Sequence, residues 1–170
     1  NGVEEVVVVT GFGHQVVDEV VSGIRGNSVR TLYNPFYALS DNLGTSWVAR
    51  NEMKAPFLLI NGDTLFEAAV LKRLLDSDTH PVTVVVSQKS PYDEDDMKVE
   101  LDGGRLVRIG KDLLPDQVDA ESIGMILFRD QGPMLFRNAL EKALRDPSSQ
   151  TKWYLSVIDE MAQSMPVWTC

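Results

Sequence analysis

The sequence predicts a doubly wound α/β domain with an appended β-hairpin. Three observations lead there. Short β-branched runs alternate with amphipathic helical stretches, which is the pattern of a mostly parallel sheet with helices on both faces. Phe57-Leu58-Leu59-Ile60 is an unbroken apolar run that ends in Asn61-Gly62-Asp63, so it reads as a central strand buried on both faces and closed by a turn. Alternating apolar and polar residues flank Asp102-Gly103-Gly104, a hairpin signature.

Size and charge narrow the function classes. A chain of 170 residues, 44% of them hydrophobic, suits one globular domain spanning 1–170. Its net charge of −9, with no basic stripe, argues against nucleic acid or an anionic membrane as partner. No apolar run has the length needed to span a bilayer, and no signal peptide is visible. The single cysteine, Cys170, is the last residue, so no internal disulfide can form, which fits a reducing cytoplasm. The sequence begins at Asn1 without a methionine and stops at Val167-Trp168-Thr169-Cys170, the start of another strand; the domain reads as incomplete at both ends.

In chain order, Val6 to Thr10 is a buried parallel strand closing on Gly11-Phe12-Gly13. A helix follows from His14 to Ser22, ended by Gly23 and Gly26. The glycines are not a dinucleotide fingerprint, because Val16 stands where a third glycine is required, and His14 reads as a surface residue at a helix start. Val29 to Tyr33 is a strand stopped by Asn34-Pro35. Ser40-Asp41-Asn42 offers caps for a helix from Leu43 to Asn51; Asn42, Thr45 and Ser46 stand near its start, where they serve either plain capping or a base or phosphate. Glu67 to Leu75 is amphipathic, with Ala69, Val70, Leu71, Leu74 and Leu75 inward, and Val82 to Val86 is a buried strand. Ser90 to Asp96 is an acidic loop; it lacks the ligand spacing of a calcium loop and reads as solvated. Ser122 to Arg129 is a strand whose Gly124 marks a bulge or a close ligand approach. Helices from Pro133 to Arg145 and from Trp153 to Met161 close the chain.

Asp63 is the candidate reactive-site residue. It lies just beyond the carboxyl end of a strand, where open α/β sheets bind ligands, and Gly62 before it permits a sharp turn or a close ligand approach. One carboxylate there can hold Mg²⁺, which takes one or two carboxylates together with waters and substrate phosphates. The competing role for Asp63 is to cap a helix starting near Leu65 or to make an Asx turn.

An ordered set of short motifs goes further. Asn34-Pro35-x-Tyr37, Asn42-x-x-x-Ser46-x-x-Ala49-Arg50, Asn61-Gly62-Asp63, Asp96-Met97-Lys98-Val99, Ile109-Gly110-Lys111-Asp112-Leu113 and Glu121-Ser122-Ile123-Gly124-Met125 follow one another along nearly the whole chain. This resembles the nucleotidyltransferases that activate sugar phosphates and alcohol phosphates, above all the cytidylyltransferases of the alcohol-phosphate branch. The resemblance implies a three-layer α/β/α fold similar to the GT-A core. It implies transfer of a nucleoside monophosphate, CMP in that branch, from a nucleoside triphosphate to a small phosphorylated alcohol or sugar phosphate. Pyrophosphate leaves, and Mg²⁺ is the cofactor.

Carried across residue by residue, the resemblance assigns Asp63 to the metal and Lys111 to the acceptor phosphate. Asn42, Ser46 and Gly62 fall along the nucleotide. Glu121 and Gly124 cradle the acceptor, with Tyr92 and Trp153 as aromatic walls that could meet a quaternary ammonium. The family's opening strand and glycine-rich loop, G-x-G-x-R followed by P-K, have no counterpart here, and its second metal carboxylate would fall beyond Cys170. The 170 residues alone are therefore expected to be weak or inactive. The strand missing between Val6–Thr10 and Phe57–Ile60 would leave two edges for another segment or a rearranged sheet to fill. Two other readings stay open: a GT-A-type glycosyltransferase, disfavoured because Leu65 stands where a second acid is wanted, and a non-catalytic nucleotide-binding or oligomerisation domain, which keeps a homo-oligomer in view.

Overall fold

The computed structural model describes residues 3–25 and 28–170, so Gly26, expected to help end the first helix, lies outside the described residues. The chain forms two compact units, Asn1–Glu52 with Leu140–Tyr154, and Met53–Ala139 with Leu155–Cys170.

In the first unit, strand β1 (Glu5–Thr10) pairs in parallel with β2 (Ser28–Tyr33), from Glu5 opposite Ser28 to Thr10 opposite Tyr33. Helix α1 (His14–Ser22) makes the crossover, and the Gly23 N–H closes it on the Val20 and Val21 carbonyls. The expectation that β1 is buried is corrected. Within β1 only Thr10 is buried, α1 buries no residue, and Val16 and Val20 remain 67% and 63% exposed. Among the described residues the sheet of this unit is β1 and β2 alone, which offers too little surface to cover an apolar helix face.

Asn34 ends β2 and is itself buried. Its Oδ1 accepts the Phe36 N–H at 2.9 Å, and its Nδ2 donates to Thr45 Oγ1 at 3.1 Å. That clamp leads to α2 (Asn42–Val48), which continues as a 3₁₀ turn over Ala49–Glu52. The N-cap is Asp41, whose carboxylate accepts the Asn42 N–H at 2.7 Å.

The second unit holds β3 (Phe57–Ile60), α3 (Ala68–Asp76), β4 (Val82–Ser87), β5 (Lys98–Asp102), β6 (Arg105–Gly110), β7 (Ala120–Phe128), α4 (Gly132–Ala143, which runs into the first unit), α5 (Tyr154–Ser164) and β8 (Trp168–Thr169). Its sheet runs β3-β7-β4-β8-β6-β5, and β5 also meets β7. The sheet is mixed, because β7 enters antiparallel between β3 and β4, which therefore point the same way. Only β4 and β8 pair in parallel within it. The expected central strand, β3, is the terminal strand of its sheet among the described residues, so it is partly buried rather than sealed on both faces.

Helices cover both faces of this sheet. Side chains alternate along a strand. On one face Leu74 and Val70 of α3 meet Met125, Leu127, Val85 and Leu58. On the other, Phe128 stacks between Phe57 and Phe136 of α4, with ring centroids 4.6 Å apart on each side. Within this unit the layering is α/β/α, as the resemblance implies. Only Leu74 of α3 is fully buried; Ala69 and Leu75, expected inward, are exposed. The hairpin forms as predicted, with Gly103 and Gly104 at φ 55° and 90°, the left-handed pair that a two-residue turn demands.

Candidate active site

Strand direction builds the site. Because β7 runs antiparallel to β3 and β4, its N-terminal half lies beside the carboxyl ends of both. The turn after β3, the segment after β4 and residues 120–124 therefore meet at one end of the sheet. Asp63, Lys89, Glu121 and Gly124 come from these segments. The hairpin adds its own end there, since Lys98 of β5 pairs with Glu121 and with Gly110 of β6, the residue before Lys111.

Asp63 sits in a turn with two anchors. The Asn61 N–H donates to the Gly124 carbonyl at 2.9 Å, and Thr64 Oγ1 donates to the Ile123 carbonyl at 2.8 Å. The Thr64 N–H closes the turn on the Asn61 carbonyl at 3.1 Å. Asp63 does not cap a helix, because α3 starts only at Ala68 with Glu67 at its N-cap position. Its carboxylate is exposed. A Cβ placed on Gly62 would meet nothing within 4 Å, so the approach to this turn is open.

A charged network lies at the same end of the sheet. Lys89 Nζ lies 2.9 Å from Asp96 Oδ1 and 3.0 Å from Glu121 Oε2. The hydrogen bonds from Lys89 and from the Asp93 N–H hold the Asp96 carboxyl below the usual carboxylate range. The same contacts, Asp96 foremost, raise the Lys89 pKa. The expectation of a wholly solvated acidic loop is thus corrected at one position: Asp93, Glu94 and Asp95 are exposed, while Asp96 is tied down. Lys111 Nζ pairs with Asp95 at 2.9 Å, which lowers the Asp95 pKa, and the Lys111 carbonyl accepts from Lys98 Nζ at 3.1 Å. Tyr92 donates its hydroxyl to the Asp119 carbonyl at 3.2 Å, two residues before Glu121.

Asp63, Gly62, Tyr92, Lys111, Glu121 and Gly124 thus share one sheet end. Asn42, Ser46 and Trp153 belong to the other unit. There Asn42 Oδ1 accepts the Tyr154 N–H at 2.8 Å, Ser46 Oγ donates to the Asn42 carbonyl at 2.9 Å, and Trp153 Nε1 donates to Asp41 Oδ2 at 2.9 Å. Sequence reasoning missed Lys89 and Thr64. Lys89 follows β4 much as Asp63 follows β3, a symmetry legible only once β7 is known to run between them.

Among the described residues no group of three or more His, Cys, Asp or Glu side chains forms a metal cage. A single accessible carboxylate still fits Mg²⁺, whose remaining positions go to water and phosphate oxygens.

No family model matches the chain. Over 74 residues, 43% of this chain and 12% of the relative, it is 36% identical to the CMP-5'-(3-aminopropyl)phosphonate synthase of Streptomyces rubellomurinus. Solved structures match almost the whole of this chain, among them three nucleotidyltransferases. The inositol-1-phosphate CTP transferase of T. maritima superposes with a TM-score of 0.78 at 22% identity, over 99% of this chain and 66% of that one. The CTP:phosphocholine cytidylyltransferase of Streptococcus pneumoniae gives 0.64 at 14% identity over 99% and 69%. A UDP-glucose pyrophosphorylase gives 0.69 at 12% identity over 98% and 72%. The chain thus spans about an eighth of the curated relative and about two thirds of these structures. It has the fold of the sugar-phosphate and alcohol-phosphate nucleotidyltransferases.

Proposed function

We propose that this chain belongs to a Mg²⁺-dependent nucleotidyltransferase that transfers CMP from CTP to a small phosphorylated alcohol, sugar phosphate or phosphonate. The carrying observation is the exposed Asp63 carboxylate, held in a doubly anchored turn at the carboxyl end of β3, at the sheet end where Glu121 and Lys111 also lie. The choice of cytidine is supported by the relatives, two of which are named for CTP and one for a CMP product. A reducing cytoplasm fits the single cysteine, and among the described residues no helix is long and apolar enough to cross a membrane.

The reaction forms one P–O bond and breaks another. An oxygen of the acceptor's phosphate or phosphonate attacks the α-phosphorus of the triphosphate. The bond from that phosphorus to the bridging oxygen breaks in line, and pyrophosphate leaves with its electron pair. Asp63 would hold Mg²⁺, which when bound neutralises charge on the triphosphate. Lys111 would exchange its exposed partner Asp95 for the acceptor's anionic group and fix the attacking oxygen. Glu121, held by Lys89, would face the acceptor's alcohol or amine portion. Tyr92 remains a proposed contact of the acceptor.

Pyrophosphate release from each of the four nucleoside triphosphates tests this reading in the full-length protein. Mg²⁺ is supplied with a polyol phosphate, phosphocholine, a hexose 1-phosphate or an aminoalkylphosphonate as acceptor. Release from CTP with one of these is expected. Release with UTP and the hexose phosphate alone would replace the cytidylyl assignment. Nucleotide binding without release under any condition would turn the reading to a binding module.

A further inference from the structure

We propose that Gly124 is a positioning residue for the Asp63 turn, acting through Asn61, and does not itself touch the acceptor. The proposal rests on reading Asp63 as the metal ligand, and it changes what the glycine in β7 is for.

Gly124 adopts φ 73° in the middle of a strand, a conformation that side chains disfavour. The distortion coincides with a register shift in the pairing with β4, between Val84 and Val86. A Cβ built at this position would lie 2.7 Å from Cγ of Asn61 and 3.1 Å from its Cβ, well inside contact distance. The missing side chain is therefore filled by Asn61, two residues before Asp63. Both backbone groups of Gly124 are engaged within the chain. Its carbonyl accepts the Asn61 N–H at 2.9 Å, and its N–H meets Ser122 Oγ at 3.3 Å. One residue earlier on β7, the Ile123 carbonyl accepts the Thr64 hydroxyl. Asp63 is thus bracketed by two residues fastened to consecutive positions of β7, while its own carboxylate faces outward. A glycine that cradled a ligand would present open space. Here the open space lies over Gly62, and the space over Gly124 is occupied.

The test uses full-length Gly124→Ala, Thr64→Val and Thr64→Ser. Amide exchange at Asn61 is followed by NMR, and pyrophosphate release is titrated separately with Mg²⁺ and with acceptor. Gly124→Ala is expected to speed Asn61 exchange and to raise half-saturating Mg²⁺ by about 10- to 100-fold, the usual cost of losing a group that orients a metal ligand. Acceptor KM should stay put. Thr64→Val should move Mg²⁺ in the same direction by less, and Thr64→Ser, which keeps the hydroxyl, should restore it. A raised acceptor KM with unchanged Mg²⁺ dependence would overturn the proposal and return Gly124 to the acceptor. If wild type releases no pyrophosphate at all, the functional reading fails by itself. Asn61 exchange then still decides the lock, and an unchanged rate in Gly124→Ala overturns it. Should Gly124→Ala not fold, Thr64→Val carries the same readouts.

Discussion

Single residues here do work that their type alone does not announce. Lys89 is one positive charge shared by Asp96 and Glu121, and it fastens the acidic loop to the start of β7. Replacing it by Met should free residues 93–96, which limited proteolysis will report as faster cleavage in that loop, with cooperative unfolding little changed. Wild-type cleavage kinetics in the variant would contradict the latch. The pH dependence follows from the sign of the shift. The Asp96 pKa is depressed in the fold, so its contribution is complete above the ordinary Asp value of about 3.9 and is lost as pH falls through the lower folded value. An NMR titration should find the Asp96 carboxyl still ionised where exposed aspartates have protonated. Sequence picked Asp63 because it stands just past a strand end, and Glu121 because the resemblance assigns it to the acceptor. It could not pick Lys89, whose partners lie seven and 32 positions away and meet only through strand pairing.

At the scale of elements, the sheet of the second unit hangs on β7. Phe128 is stacked between the rings of Phe57 and Phe136, so it joins the sheet to α4. Phe128→Ala should destabilise by about 3–5 kcal/mol, the range for truncating a buried aromatic, as read from urea unfolding. Arg129, the next residue, turns its guanidinium onto the carbonyls of Leu74, Leu75, Ser77 and Asp78 and so closes the carboxyl end of α3. Arg129→Met should cost about 1.5–3 kcal/mol, because it removes charge-assisted hydrogen bonds. Both elements were legible in the sequence, the strand as an apolar run and the helix from its period. The direction of β7 was not, since a continuous apolar run reads the same parallel or antiparallel. The bulge at Gly124 was legible because a glycine inside SIGMILF has few other uses; which residue fills the space was not.

At the scale of the molecule, the strand–helix alternation led correctly to the α/β class, and the alternation around Asp102-Gly103-Gly104 to the hairpin. The burial expected for β1 and β3 failed for one reason: a buried strand needs neighbours on both sides, and apolar composition does not reveal whether they are there. β1 pairs only with β2, and β3 pairs only with β7, among the described residues. Val16 and Val20 consequently lie in water, as does Phe12, 89% exposed. Such a surface promotes association. Val16→Lys with Val20→Lys should therefore reduce self-association in light scattering and leave the melting temperature unchanged, because α1 buries nothing; a marked loss of stability would mean the helix face is covered. All of this frames one chemical claim, that the carboxylate at the end of β3 grips a cation shared with a triphosphate. The most direct measurement is single-turnover pyrophosphate release from CTP by full-length Asp63→Asn, titrated with Mg²⁺. The single-turnover rate is expected to fall about 100-fold or more at saturating acceptor, with a weakened response to Mg²⁺. A rate and Mg²⁺ dependence equal to wild type would contradict that claim.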